Sequence, residues 1–256
     1  MLLLASVSTV SAIGPLNPNM VGKFGMAIGG LQGVANVAIP EATLKSYGWD
    51  PSPENLAAVK ATGTAALSST ATFLPLVLLK TSVTKALTYG ILVRLIFVAD
   101  YLAQGHDQLV GTKKEGTIVW FALNLAVVTG LWQNADWALG WGIKAVAAIA
   151  VLSGAQMAIS PAFALTKYGS KSSVGTEFGL LAEALGGILA GSGLATYALA
   201  TGKDAMAAIG YSFVPFSLAL IKSVFVTKQY QKANMDIAPL IGWIVISTIM
   251  IATLAF

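Results

Sequence analysis

The sequence predicts an all-α fold: a polytopic transmembrane helix bundle of about eight spans, built as a tandem parallel repeat of a four-helix unit. The first observation is composition, since 56% of the 256 residues are apolar and only 10% are charged. A soluble domain carries about 25% charged residues, so lipid must cover much of this surface. The other two observations are a series of long apolar stretches and a pattern that repeats at an offset of 121 residues.

Eight apolar stretches approach the length of about 20 residues that a helix needs to cross a bilayer. Short connections with turn-forming residues such as Gly48, Pro51, Gly105, Gly169 and Gly202 separate several of them. The predicted spans are residues 21–39, 56–79, 84–102, 117–132, 137–160, 177–199, 205–226 and 237–256.

Small residues recur four apart on two of the predicted spans. Gly25, Gly29 and Gly33 share one face of the first span, and Gly187 and Gly191 lie in the sixth. Such spacing lets helix backbones approach closely in lipid. We interpret these faces as packing seams within one chain rather than as a dimerisation motif.

The internal repeat divides the chain into a signal-like segment, residues 1–16, and two units, residues 17–134 and 135–256. At the offset of 121 residues, Pro40 falls on Pro161, and Tyr47 with Gly48 falls on Tyr168 with Gly169. With two small insertions, Glu54 meets Glu177, Gly90 meets Gly210, and Trp120 meets Trp243. An even number of spans per unit predicts that both units sit the same way up, related by an approximate two-fold axis along the membrane normal.

Each unit resembles the DoxX-like group of small four-helix membrane proteins. The resemblance is carried by Leu31, Gly33, Pro40 and the Tyr47–Gly48 turn, together with their second copy. It implies the four-helix unit; because that group has diverse roles, it implies no activity.

The signal-like segment contains an apolar run that is too short to span. Ser11, Ala12 and Pro15 match an import signal of secondary plastids, although Ile13 replaces its preferred aromatic residue. The membrane that this predicts is the plastid thylakoid, the alternative being a secretory-pathway or plasma membrane.

Lysines predict the orientation of the spans, because their excess marks the cytosolic or stromal side. Seven follow the odd-numbered spans and four lie on the other side, which places both termini in the lumen or exterior. The first set is Lys45, Lys113, Lys114, Lys167, Lys171, Lys228 and Lys232, and the second is Lys23, Lys80, Lys85 and Lys203.

Ionisable side chains inside spans are costly and therefore count as candidate functional residues. Lys144 and Glu177 lie near span ends, where they can reach the interface. The remaining candidates for buried charges at an interface are Lys60, Arg94, Asp100, Glu183 and Lys222.

The repeat makes Lys60 equivalent to Glu183 and Asp100 equivalent to Lys222. We therefore expect either Asp100 with Lys222 or Lys60 with Glu183 to approach across the interface between the halves. Two roles remain open for such charges: a proton or ion relay, or ion pairs that hold the halves in register.

Arg94 has no repeat partner and is the candidate contact for an anionic ligand, a lipid headgroup or a neighbouring subunit. His106 lies in a loop beside Asp107; it is either a solvated loop residue or a contact to a pigment or another ligand. Tryptophans near the span ends fit an interfacial belt: Trp120, Trp132, Trp137, Trp141 and Trp243.

The absence of cysteine excludes disulfides, iron–sulfur clusters and thiolate catalysis. A single histidine weighs against a zinc or bis-histidine haem site, so we predict neither a metal site nor an enzyme. The first functional expectation is a non-catalytic accessory or structural subunit of a larger membrane complex, such as a plastid photosynthetic complex. The alternative is a transporter of a small solute or ion. The expected partners are membrane lipids and other membrane subunits rather than nucleic acid, with pigments or lipids as candidate cofactors.

Overall fold

A computed structural model describes residues 16–105, 114–167 and 176–255, and these residues form helices without a strand. The predicted all-α bundle is confirmed. In chain order the helices are α1 (Pro18–Ala38), α2 (Pro40–Ser46), α3 (Pro53–Leu78), α4 (Val83–Ala103), α5 (Lys114–Trp132), α6 (Ala138–Ile159), α7 (Pro161–Lys167), α8 (Thr176–Ala200), α9 (Ala205–Val226), α10 (Gln229–Lys232) and α11 (Ile237–Leu254). The first turn of α6 (Ala138–Gly142) and the last of α9 (Lys222–Val226) are π-helical.

Seven described helices are long and apolar enough to cross a membrane: α3, α4, α5, α6, α8, α9 and α11. The chain is therefore an integral membrane protein. The predicted first span corresponds to α1, which has 21 residues but is not among the seven. Its glycines and the polar side chains of Asn19, Gln32 and Asn36 lower its mean hydropathy.

The long first helix of each half ends at the same kind of break. Ile39 and Ser160, 121 residues apart, leave the helical conformation, and a proline follows each of them. Proline is suited to the first position of a helix because it lacks the N–H that would be unpaired there. Each break is thus followed by a seven-residue helix, α2 or α7, and the order of the long helices and of this short one in the first half recurs in the second; α10 has no counterpart among the described residues of the first half.

The helix contacts also follow the repeat. In the first half α3 packs against α1 and α4, and α4 packs against α5; in the second, α8 packs against α6 and α9, and α9 against α11. Between the halves, α3 meets α8 at the centre, while α1 meets α11 on one flank and α5 meets α6 on the other. Exchanging the halves leaves this pattern of contacts the same. Their relation by a two-fold axis along the membrane normal remains a prediction.

The small-residue faces are used inside the bundle, as predicted. Gly25 packs against Met250 of α11, and Gly33 against Gly63 and Leu67 of α3. Gly191 lies so close to α9 that a methyl group in its place would overlap the carbonyl of Ser212. Gly29 is different, since a methyl group added there would meet no atom within 4 Å.

Candidate functional site

A buried ion pair joins the second and third long helices of the second half. Glu183 of α8 is 2% exposed, and its Oε1 lies 2.8 Å from Nζ of Lys222 on α9. The hydroxyl of Ser223 donates to Oε2 of the same carboxylate at 2.5 Å. Both oxygens of Glu183 therefore have a partner, and one of the partners neutralises its charge.

Lys222 also holds the end of α6. Its Nζ donates to the carbonyl oxygens of Ala158 and Ile159, at 2.8 Å each. The last carbonyls of a helix have no partner within that helix, and Pro161, which follows, has no N–H to offer. Neighbouring residues of an α-helix do not face the same side. Lys222 and Ser223 nevertheless both contact the carboxylate of Glu183, and the wider π turn begins at these two residues.

The equivalent positions of the first half carry the opposite charges in a looser arrangement. Lys60 of α3 donates to Oε1 of Gln104 at 3.5 Å, and the amide nitrogen of Gln104 donates to both carboxylate oxygens of Asp100 at 2.8 Å. Asp100 is exposed and Lys60 is half-buried. A neutral amide thus stands between the two charges.

The expected pairing across the halves is wrong. Neither Asp100 with Lys222 nor Lys60 with Glu183 forms an ion pair; the described ion pair is Glu183 with Lys222, within the second half. The physical reason is that α3 packs beside α4, and α8 beside α9, so opposite charges on consecutive helices meet within their own half. Repeat equivalence indicates which positions correspond, not which positions touch.

Arg94 lies inside the bundle near the middle of α4. Its guanidinium donates to Ser68 of α3, Asn124 of α5 and Ser192 of α8 at 3.3–3.5 Å. These acceptors are 1%, 1% and 7% exposed, and Arg94 itself is half-buried. The ring of Trp120 lies 6.0 Å from the guanidinium carbon, within reach of a cation–π interaction. Among the described residues, no carboxylate comes within 4.0 Å of Arg94.

A partly open cavity of about 180 Å³ lies between the two halves. Its walls come from α1 and α3 on one side and from α8, α9 and α11 on the other. Glu183 and Ser192 both line it, which connects it to the ion pair and to Arg94. Most of the lining is apolar, with Phe73, Leu181 and Phe216 among the larger side chains.

A separate group of polar residues lines the cavity on the α1 side, and we did not predict it. Gln32 donates to Asn36 at 2.7 Å and to the hydroxyl of Tyr47 at 3.4 Å. Burial raises the pKa of the Tyr47 hydroxyl above its ordinary value, and the hydrogen bond from Gln32 offsets part of that rise. The hydroxyl therefore stays protonated and able to donate. The signal in the sequence was a pair of amide side chains four apart within an apolar stretch.

A groove on the outer face of α1 and α11 adjoins the cavity at this end. The cavity and the groove share Gln32, Tyr47, Pro239 and Trp243, so these side chains form the boundary between them. Trp243 packs against Phe216 inside the bundle, with ring centroids 5.8 Å apart. Trp120 also packs inside the bundle, against Arg94, whereas Trp132 and Trp141 are 71% and 64% exposed.

Two polar contacts tie the halves together near the same end. The side-chain amide of Asn55, at the start of α3, donates to Glu177 at the start of α8 at 2.7 Å. The indole N–H of Trp49 donates to the carbonyl of Ala233 at 3.1 Å. Glu177 thus has a structural contact, whereas His106 lies outside the described residues.

In the ranges 16–105, 114–167 and 176–255, no three His, Cys, Asp or Glu side chains are grouped as metal ligands would be. Comparison of the chain with protein-family models, with curated proteins and with solved structures finds no match. The site must therefore be interpreted from its own geometry.

Proposed function

We propose that this protein is a membrane carrier that passes a small solute through the cavity between its two halves. The observation that carries the proposal is the position of the cavity, which is walled by helices of both halves. Transporters built from repeats place their substrate sites at the repeat interface near the bilayer midplane, and alternate access by rocking one repeat against the other.

The distribution of polar groups supports the same proposal. Substrate cavities are mostly apolar with a few placed polar groups, and here Gln32, Tyr47 and Ser192 interrupt an apolar lining. Ionisable residues within spans mark solute pathways, and Glu183 is both buried and part of the cavity wall.

The alternative is a non-catalytic accessory subunit of a larger membrane complex, which was the first expectation from the sequence. Part of the support for that alternative was the small-residue faces. These faces pack against helices of the same chain, so they are not available to another subunit. We place the carrier in a plastid membrane, the thylakoid being the proposed one, on the strength of the signal-like residues Ser11, Ala12 and Pro15 alone.

A variant that fills the cavity tests the proposal. Gly29 lines the cavity, and a Cβ atom added there would meet nothing within 4 Å; Gly29→Leu should therefore place its side chain in the cavity without a clash at its Cβ atom. We would reconstitute the protein in liposomes and measure the uptake of labelled monocarboxylates, amino acids, sugars and monovalent cations. At least one solute should enter faster than into protein-free liposomes, and Gly29→Leu should abolish the difference.

The matched control is Gly116→Leu, an exposed glycine near the start of α5 that also has open space and lies away from the cavity. It should transport as the unaltered protein does. Uptake that is unaffected by Gly29→Leu, or no uptake together with purification from native membranes in a stoichiometric complex, would overturn the carrier proposal and favour the accessory subunit.

A further inference from the structure

The two charges nearest the cavity differ in how they are compensated. Glu183 receives a short bond from the ammonium of Lys222 and another from Ser223, so that pair adds no net charge. The guanidinium of Arg94 donates only to neutral described acceptors, at distances of 3.3–3.5 Å. Charged hydrogen bonds to a carboxylate are typically about 2.7–2.9 Å. The positive charge of Arg94, beside the cavity at Ser192, is therefore not neutralised by a described carboxylate, and its acceptors hold it weakly.

Ser192 lies between the Arg94 guanidinium and the cavity. Its oxygen accepts from Nη2 of Arg94 at 3.3 Å, and the same side chain lines the cavity. Its own hydrogen finds no acceptor among the described residues. A hydroxyl that accepts from a cation becomes a stronger donor, because hydrogen bonds in a chain polarise one another.

The other hydroxyls on the wall are largely occupied. All but one of them donate to a protein acceptor: Thr62, Ser69, Thr70 and Ser212 to backbone carbonyls, and Ser223 to Glu183. The exception is Tyr47, whose hydroxyl accepts from Gln32 and has no described acceptor for its hydrogen. Ser192 is thus the donor on the cavity wall that has a cation directly behind it.

We propose, as a deepening of the carrier function, that the solute is a small monocarboxylate whose charged group binds the Ser192 hydroxyl with the Arg94 guanidinium behind it. The apolar part of the acid would lie against the apolar walls. An engineered apolar cavity of roughly 150 Å³ binds benzene, so a cavity of about 180 Å³ suits a body the size of one aromatic ring.

The test compares benzoate with benzamide, which has the same shape and no charge. Titration calorimetry of the purified full-length protein in detergent micelles should show benzoate binding at least about tenfold more tightly, the value of one hydrogen bond to a charged group. Ser192→Ala should weaken benzoate binding by about the same factor. Arg94→Gln should remove the preference for benzoate over benzamide.

The control is Ser247→Ala, a fully buried serine of α11 whose hydroxyl donates to a backbone carbonyl away from the cavity. It should bind benzoate as the unaltered protein does. Equal affinity for benzoate and benzamide, or equal effects of Ser192→Ala and Ser247→Ala, would overturn the proposal. Ser192→Ala removes one oxygen atom, so it keeps the test valid if Arg94→Gln fails to fold.

A carboxylate can come from a water-soluble acid or from a membrane fatty acid, and competition separates these sources. If palmitate displaces benzoate from the unaltered protein, the carboxylate belongs to a lipid; if it does not, the ligand is a small acid.

The binding site and the carrier function can fail separately. Benzoate binding without any uptake would overturn the carrier and leave the site, whereas Gly29-dependent uptake of a sugar or cation without benzoate binding would overturn the site and leave the carrier.

Discussion

The two halves place opposite charges at equivalent positions but hold them differently. In the second half Glu183 is buried and bonds directly to Lys222. In the first half the amide of Gln104 lies between Lys60 and the exposed Asp100. The difference indicates that burial, rather than the presence of a charge pair, decides how strongly a position constrains its neighbours, since the buried carboxylate of Glu183 is screened less than the exposed one of Asp100.

The comparison also shows why the second pair has a fixed polarity. Lys222 donates to two carbonyls at the end of α6 as well as to Glu183, and only a donor can fill that position. Gln104 offers both a donor and an acceptor to its neighbours. The first cluster is therefore indifferent to which helix carries the positive charge.

Reversing both charges in each half should give the largest contrast. Glu183→Lys combined with Lys222→Glu keeps the net charge but directs a carboxylate at the carbonyls of Ala158 and Ile159, so we expect no folded protein. Lys60→Glu combined with Asp100→Lys should fold, because the Gln104 amide can rotate to serve either sign. Size-exclusion profiles of fluorescently tagged proteins would measure both. Similar profiles for the two reversals would contradict the fixed polarity.

Removing one partner of the buried pair should be the next largest effect. Lys222→Met leaves the Glu183 carboxylate buried without its cation, which costs about 3–5 kcal/mol. Thermal unfolding in detergent micelles would report this as a much lower transition temperature. Lys144→Met is the control, since Lys144 has no described partner; an equal loss in both variants would show that the ion pair is not the cause.

Adding Glu183→Gln to Lys222→Met should recover part of that loss. The uncharged amide at position 183 no longer requires a cation, so the double variant should be more stable than Lys222→Met alone. A double-mutant cycle on unfolding free energies measures the coupling. Strictly additive losses would mean that Glu183 and Lys222 do not stabilise each other.

The smallest effect is expected in the first half. Lys60→Met should change the free energy of unfolding by about 0–1 kcal/mol, as for other exposed polar contacts, because Gln104 keeps its bonds to Asp100. The same thermal assay applies. A loss as large as that of Lys222→Met would remove the distinction between the two clusters.

The helices were predictable because several apolar stretches are bounded by residues with a local structural role. Ser52, Ser82, Asp204 and Asp236 cap helix starts, and Pro40 and Pro161 begin new helices. The predicted span 205–226 coincides with α9, although composition gave no sign of its π turn.

The site was predictable only in part. Arg94, Glu183 and Lys222 were recognisable because charges are rare in apolar spans. Their partners were not, since Ser68, Asn124 and Ser192 are ordinary polar residues whose importance depends on which helices pack together. The cavity depends on the same packing, because its space beside Gly29 follows from helix positions and not from local sequence.

The π turn at the end of α9 bears on how the two halves are compared. Its backbone bond runs from Thr227 to Lys222, five residues back, so the helix accommodates one residue more than a regular turn. The offset between equivalent residues grows by two, from 120 at Gly90 and Gly210 to 122 at Asp100 and Lys222, and this growth lies before the π turn, inside the continuous helices α4 and α9. Length differences between the halves thus fall within helices as well as in loops, and comparison of the halves by sequence must open a gap where the polypeptide remains continuously helical.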